Sequence, residues 1–170
     1  MTQEAALLNL TMKDIPVNPS DVRRWSGLRG PGLALAIHEA IKLAPRTVLV
    51  VAESPQSAQR LQSELAFFSG GRYNVDVFPD YETLIYDGFS PHQDILSDRL
   101  ALLGQNFQRQ TVIIVPATTL MFRLPPLAFL MGHNLKLQTG QRLNLDQLKS
   151  QLQASAYRTV DAVMEHGEVL

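Results

Sequence analysis

The run T-V-L-V-V-A (Thr47–Ala52) begins the stretch that decides the fold. A continuous apolar run rich in β-branched residues predicts a central strand buried on both faces. Ser54 and Pro55 then predict a helix start, because serine is a favoured N-cap and proline suits the first helical position. That helix ends at Gly70–Gly71, and Y-N-V-D-V-F (Tyr73–Phe78) alternates as a second strand. Strand, helix and strand at these lengths predict a βαβ unit, and therefore a parallel sheet.

A third core strand, T-V-I-I-V (Thr111–Val115), follows a helix that we expect from about Pro91 to Asn106. Together the three runs predict an α/β fold in which a parallel sheet is flanked by helices on both faces. Composition shifts near Gly132, and Asn144 then caps an amphipathic helix. We therefore expect a small α+β domain to start here.

These features predict three parts: an N-terminal extension at residues 1–24, a first domain at 25–131 and the beginning of a second domain at 132–170. The last segment resembles the start of a strand and turn but has no terminator. We expect Leu170 to be a truncation point and the second domain to be incomplete.

Upstream of the first strand, W-S-G-L-R-G-P-G-L-A can be aligned with the phosphate-binding loop G-x-x-x-x-G-K-[ST]. Gly27 and Gly32 fall on the required glycines, and Gly30 adds a third flexible point. Leu33 stands where the lysine belongs, and Ala34 stands where the Ser/Thr that holds Mg²⁺ belongs. The stretch is therefore either a phosphate loop that has lost its chemistry or a Gly/Pro turn entering an ordinary helix.

Composition narrows the classes of protein. The 170 residues are 45% hydrophobic and 18% charged, as in a soluble globular protein. The formal charge of −1 argues against a domain that grips nucleic acid by itself. No cysteine is present, which excludes disulfides and thiol catalysis and fits the cytoplasm. No apolar run approaches the length of a membrane span, so we expect no membrane partner.

The titratable residues do not form a clear pattern for a metal site or a catalytic site. His38, His133 and His166 lack the spacing of metal ligands, so we expect no metal site. A dense group of carboxylates could take part in acid/base catalysis. The favoured interpretation is that these residues cap helix starts and keep a surface solvated. The members of the group are Asp80, Glu82, Asp87, Asp94 and Asp98. Arg99 is expected to pair with nearby acids, and we assign no catalytic residue.

Longer motifs carry a family resemblance. F-P-D-Y-E-T-L-I-Y-D-G-F-S-P-H-Q-D-I-L-S-D-R-L resembles the signature of the bacterial transcription-repair coupling factors. The segments V-I-I-V-P-A-T-T-L-M-F-R-L-P-P, F-L-M-G-H, G-Q-R-L and A-Y-R-T-V-D-A-V-M-E-H-G-E are similar to the same family in the same order. The resemblance covers Thr47–Leu170 well and residues 1–24 hardly at all.

The resemblance implies a function. The N-terminal part of this family resembles the excision-nuclease subunit UvrB, whose first domain carries a true phosphate loop. The resemblance therefore implies a degenerate P-loop NTPase-like fold for this chain. This chain would then be a non-catalytic UvrB-like module that binds no cofactor. ATP and Mg²⁺ would be bound elsewhere in the parent protein, an ATP-dependent DNA translocase that displaces stalled RNA polymerase at DNA lesions. The alternative is an NTPase domain with an irregular but working phosphate site.

The resemblance also implies a partner. In the family, the second domain recruits nucleotide excision repair by docking UvrA, with arginines prominent on the docking face. Arg158 and, less surely, Arg142 are the candidates within this chain. RNA polymerase and DNA would be bound by other parts of the parent. The best-matching docking arginine would follow Leu170, so we expect this chain to bind UvrA poorly.

Overall fold

The computed structural model describes residues 12–44, 46–83, 88–105, 110–132, 139–155, 157–164 and 167–170. The chain divides into two compact units. The first unit comprises Met1–Asp80 and Asn106–Phe122, and the second comprises Tyr81–Gln105 and Arg123–Leu170. The domain boundaries that the sequence predicts, after residues 24 and 131, stay predictions.

Each unit mixes helices and strands. The first contains a 3₁₀ turn (Met12–Asp14), α1 (Gly32–Leu43), β1 (Val48–Ala52), α2 (Pro55–Ser69), β2 (Asn74–Val77), β3 (Thr111–Pro116) and a 3₁₀ helix (Ala117–Met121). The second contains α3 (Gln93–Leu103), α4 (Leu127–Gly132), α5 (Leu145–Ala154), β4 (Arg158–Thr159) and β5 (Glu168–Val169). Among the described residues, no helix is long and apolar enough to cross a membrane.

Local sequence signals set both ends of α2. Oγ of Ser54 accepts the backbone N–H of Ser57 at 3.2 Å, and Oγ of Ser57 accepts the backbone N–H of Ser54 at 2.8 Å. This reciprocal capping satisfies two N–H groups at the helix start, and Pro55 needs no acceptor there. Gly70 ends the helix in the left-handed region, with φ of 52°. The predicted start and end of this helix are confirmed.

The first unit is built on a parallel three-stranded sheet of order β1-β3-β2. The predicted strands and their parallel pairing are confirmed. The prediction that Thr47–Ala52 is a central strand is wrong, because β1 lies at an edge of the sheet that the described strands form. Leu49 and Val51 on this strand are 61% and 53% exposed. A run of β-branched residues predicts a strand, but it does not predict the position of that strand in the sheet.

The core of the first unit lies on one face of the sheet. Residues of α1, α2 and the strands share a single apolar cluster: Ala34, Ile37, Ile41, Ala52, Ala58, Leu61, Leu65, Tyr73, Val112 and Ile114. Val48, Val50, Val75 and Val77 pack against it, and the register places all of these strand residues on the same face. Helices on both faces were expected, whereas α1 and α2 both cover this one face.

The second unit has sparser elements. Asn144 caps α5 as predicted, since its Oδ1 accepts the backbone N–H of Gln147 at 3.1 Å. No residue of α5 is buried. β4 and β5 pair in parallel, with Arg158 opposite Glu168 and Thr159 opposite Val169. The helix and strand pair agree with the start of a small α+β piece.

Candidate functional site: the glycine-rich loop before α1

The glycine-rich loop leads directly into α1. Gly27 and Gly30 have φ values of 75° and 53°, in the left-handed region that glycine adopts at little cost. A turn closes before the helix, where the N–H of Gly32 donates to the carbonyl of Arg29 at 3.0 Å. Residues 21–29 have no regular secondary structure. The strand that precedes a standard phosphate loop is therefore absent from the described residues before Gly32.

The two decisive side chains point to different surroundings. Leu33, at the lysine position, is 44% exposed in the first turn of α1. Ala34, at the Ser/Thr position, is completely buried. Ala34, Ile37 and Ile41 follow helical spacing and share the apolar core. A hydroxyl at position 34 would therefore enter the core, where it would be badly placed to hold a metal ion.

The loop can bind an anion through backbone N–H groups. The first N–H groups of any helix have no intrahelical acceptor, and those of Leu33 and Ala34 fall in this class. Pro31, at the N-cap, supplies no side-chain bond. The helix dipole adds a weak preference for negative charge. This arrangement can hold a phosphate or sulfate weakly, without the charge and metal anchor of a working site.

A polar cluster at the strand ends was missed by the sequence analysis. Oδ2 of Asp80 accepts the hydroxyls of Thr118 and Thr119 at 2.7 and 2.8 Å. Asp80 follows β2 and the two threonines follow β3. The carboxyl ends of neighbouring parallel strands lie at one edge of a sheet, and this was the available signal. Both hydroxyls already donate to the carboxylate, so a phosphate bound at this edge would have to displace these two hydrogen bonds.

His38 and Tyr73 form a buried polar pair. Nδ1 of His38 lies 2.9 Å from the phenolic oxygen of Tyr73, in a hydrogen bond that links α1 to the start of β2. Burial, as the largest cause, lowers the pKa of His38 below its ordinary 6.5. Burial also raises the pKa of Tyr73 to about 12. The pair is therefore neutral at neutral pH and serves packing.

The other acids and Arg99 do not assemble into a catalytic group among the described residues. Nδ1 of His92 lies 3.3 Å from the Asp94 carboxylate at the start of α3. The guanidinium of Arg99 lies 3.8 Å from the centre of the Tyr81 ring, in a cation–π contact. Asp87, His133 and His166 lie outside the described residues. Within the described part, no three His, Cys, Asp or Glu side chains are grouped to hold a metal ion.

An open apolar pocket of about 500 Å³ runs beside β1 in the first unit. It is lined by Ile15, Pro16, Trp25, Ile37, Ala40, Ile41, Ala44, Arg46 and Thr47–Val51. Arg46 is the charged residue of this lining, and its guanidinium donates to the carbonyl of Pro16 at 3.5 Å. The pocket carries no set of converging polar groups that would indicate catalysis.

The two candidate docking arginines lie in the second unit. Arg158, in β4, has a side chain that is 70% exposed, with Nη2 3.5 Å from Oε1 of Glu168. Glu168 is 12% exposed, and its Oε2 accepts the backbone N–H of Met164 at 2.9 Å. Arg142 is exposed in the irregular segment before α5. The neighbouring Glu168 carboxylate therefore positions the side chain of Arg158.

Fold and loop together define a class of protein: a parallel α/β domain with a phosphate-loop-like turn that lacks the lysine and the hydroxyl. The chain is 43% identical over 155 residues to the transcription-repair-coupling factor of Escherichia coli (strain K12), an alignment covering 91% of this chain and 13% of that protein. The Haemophilus influenzae protein of the same name is 40% identical over 156 residues, with the same coverage. The Rickettsia bellii protein is 28% identical over 134 residues, covering 78% of this chain and 12% of the relative.

The chain is therefore homologous to the N-terminal part of transcription-repair coupling factors, as its motifs predicted. It spans only 13% of the length of the two more similar relatives described above. No protein-family model matches the chain.

Proposed function

We propose that this chain is a non-catalytic, UvrB-like module of a transcription-repair coupling factor. The observation that carries the proposal is the pair of positions at the start of α1. Leu33 offers no charge, and Ala34 is buried in the core instead of facing a metal ion. Removing the lysine loses a charge-assisted bond of about 1.5–3 kcal/mol. Removing the hydroxyl loses the metal anchor.

The remaining functions belong, in this proposal, to other parts of the longer protein. ATP and Mg²⁺ are bound by a motor outside this chain, which moves on DNA and releases stalled RNA polymerase. The family name of the relatives, together with their greater length, supports this division of roles. The module works in the cytoplasm, in keeping with its lack of cysteine.

Nucleotide binding tests the non-catalytic proposal. We expect Mg²⁺-ATP to leave the melting temperature of the chain unchanged, because a ligand that binds the folded state must raise stability. Isothermal calorimetry should show no ATP binding at micromolar concentrations. Inorganic phosphate serves as the control for weak binding by the backbone N–H groups. Micromolar ATP affinity would instead support the alternative, an NTPase with an irregular phosphate site.

The proposed docking partner is UvrA, through the second domain. Arg158 supports this, because an exposed guanidinium can bind a partner carboxylate through planar, bidentate contacts. Interfaces draw most of their energy from a few anchors, and Arg158 and Arg142 are the candidate anchors within this chain. With these two candidates, we expect weak binding of UvrA by the 170 residues alone.

A binding titration tests the docking proposal. UvrA is titrated with this chain and with a version extended through the complete second domain, and the extended version should bind far more tightly. Arg158→Ala in the extended version should weaken binding, and Arg142→Ala, the less certain candidate, should weaken it less. Equal affinities of the two lengths would place the docking surface within Met1–Leu170 and contradict our placement.

A further inference from the structure

The chain passes between the two units close to the ends of neighbouring strands. It leaves the first unit after Asp80 and enters the second at Tyr81. Later it leaves the first unit again after Phe122. The first exit follows β2 and the later exit follows β3. The N–H of Phe78 donates to the carbonyl of Ile114 at 2.8 Å, so the paired backbone continues one residue past β2.

Beyond this pairing, side chains tie the two exits together. The carboxylate of Asp80 accepts both the Thr118 and the Thr119 hydroxyls, which lie 38 and 39 residues away in sequence. We call these three residues the Asp80 clasp. Thr119 is buried, and a buried hydroxyl requires a hydrogen-bond partner. The 3₁₀ helix at the second exit is therefore anchored to the residue at which the chain makes its first exit.

A strained residue follows the clasp directly. Among the described residues, Glu82 is the one non-glycine residue with positive φ, at 58°. A side chain in the left-handed region lowers the population of that conformation by a factor of about 5 to 30. Such strain persists only where surrounding contacts fix the backbone. The two residues before Glu82 are both held: Asp80 accepts the threonine hydroxyls, and Tyr81 lies against the guanidinium of the buried Arg99.

We propose that the Asp80 clasp holds Glu82 in its strained conformation and so acts as a conformational latch on the segments that follow β2 and β3. The clasp holds the backbone of Glu82 in the left-handed region by fixing the residue two positions before it. Release of the clasp lets Glu82 return to negative φ and loosens both exits at the same time. The carboxylate and the two hydroxyls of the clasp thus restrain both segments, the one that follows β2 and the one that follows β3.

Amide hydrogen exchange on the full chain tests the latch. In Asp80→Ala, we expect the amides of Glu82, Thr119 and Phe122 to exchange at least tenfold faster, while those of Val112 in β3 change less than about twofold. Asp80→Asn is the matched control, because its carbonyl oxygen still has two lone pairs for the hydroxyls. Its exchange should stay close to that of the parent. Unchanged exchange at both exits in Asp80→Ala, or equal loosening throughout the sheet, would overturn the proposal.

A second experiment measures the strain. Glu82→Gly should raise the equilibrium constant for folding about fivefold, because glycine adopts positive φ without penalty. In the Asp80→Ala background, the same change should gain less than about twofold, since the released chain no longer holds Glu82 in place. If Asp80→Ala fails to fold, Thr118→Val replaces it, because Thr118 is exposed and its loss removes one bond of two. An equal gain in both backgrounds, or no gain in the parent, contradicts the latch.

Discussion

The two units differ in how many of their described side chains are buried. In the first, α1, α2 and three strands bury one shared cluster, with Leu65 and Ile114 completely inaccessible. In the second, α5 buries no residue, and its strands β4 and β5 pair over two residues each. Burial of apolar area is the main favourable term in folding. The first unit therefore holds a core that can be tested by truncation, while α5 of the second unit presents exposed and half-buried side chains.

The largest effect is expected from emptying that core. Leu65→Ala in α2 should lower the free energy of unfolding by about 2–5 kcal/mol, because it leaves a cavity in a closely packed site. Leu148→Ala in α5 is the matched change at a half-buried leucine, and it should cost about 1 kcal/mol or less. Urea unfolding followed by the fluorescence of Trp25, the single tryptophan, reports on the first unit. Hydrogen exchange of the α5 amides reports on the second.

Similar costs for the two leucines would break the comparison. If Leu148→Ala lowered stability as much as Leu65→Ala, the second unit would depend on a core of its own.

Introducing the lysine and threonine of a phosphate loop should have the next largest effect. Ala34→Thr buries a hydroxyl in the core and should destabilise by about 1–3 kcal/mol. Leu33→Lys, at a partly exposed position, should change stability by less than about 0.5 kcal/mol. The double variant should still not hydrolyse ATP, because the introduced hydroxyl faces the core. A phosphate-release assay with Mg²⁺-ATP checks activity, and thermal melting of the single variants checks stability. Measurable hydrolysis would show that the rest of a catalytic site is present.

The sequence predicted much of the fold because the relevant signals are local. Ser54, Pro55 and Gly70 act within one turn of the helix that they bound, so its ends could be read directly. The burial of Ala34 is also local, since Ala34, Ile37 and Ile41 repeat at helical spacing. The phosphate-loop pattern specifies the residue type at position 34 but not the direction in which its side chain points.

Other features could not be predicted because they depend on distant pairing. β1 has the composition of a central strand, but its place at the edge is decided by which strand pairs with β3. Asp80 meets Thr118 and Thr119 across 38 and 39 residues, and only the register of β2 and β3 brings them together. The roles of Arg142 and Arg158 stay predictions, because they depend on a partner.

The buried pair in the first unit should make its stability sensitive to acid. The pKa of His38 is lowered in the folded state, so below the ordinary value of 6.5 the unfolded state binds more protons. The contribution of His38 to stability is therefore complete above pH 6.5 and is lost as the pH falls through the folded pKa. The slope from one proton is at most about 1.4 kcal/mol per pH unit. Urea unfolding at pH 5 to 8 should show this slope in the parent and lose it in His38→Gln.

Tyr73→Phe separates burial from the hydrogen bond. Burial is the largest cause of the shift of His38, so this variant should keep the acid slope. It should lose an alkaline effect instead. The pKa of Tyr73 is raised to about 12, so stability is complete below the ordinary value of 10 and falls as the pH rises from 10 towards 12. An acid slope that vanished with the phenol would mean that the hydrogen bond, and not burial, sets the pKa of His38.

The smallest effect is expected at Arg158, on the surface of the second unit. Exposed ion pairs contribute at most about 1 kcal/mol, and its side chain is largely exposed, so Arg158→Ala should change stability by less than about 0.5 kcal/mol. Glu168→Ala should cost more, about 1 kcal/mol, because it also removes the acceptor of the Met164 N–H. Exchange of the Met164 amide distinguishes the two variants and should quicken only in Glu168→Ala. If Arg158→Ala proved the more destabilising, Arg158 would be a structural residue, and any loss of partner binding on its removal could follow from altered folding of β4 and β5.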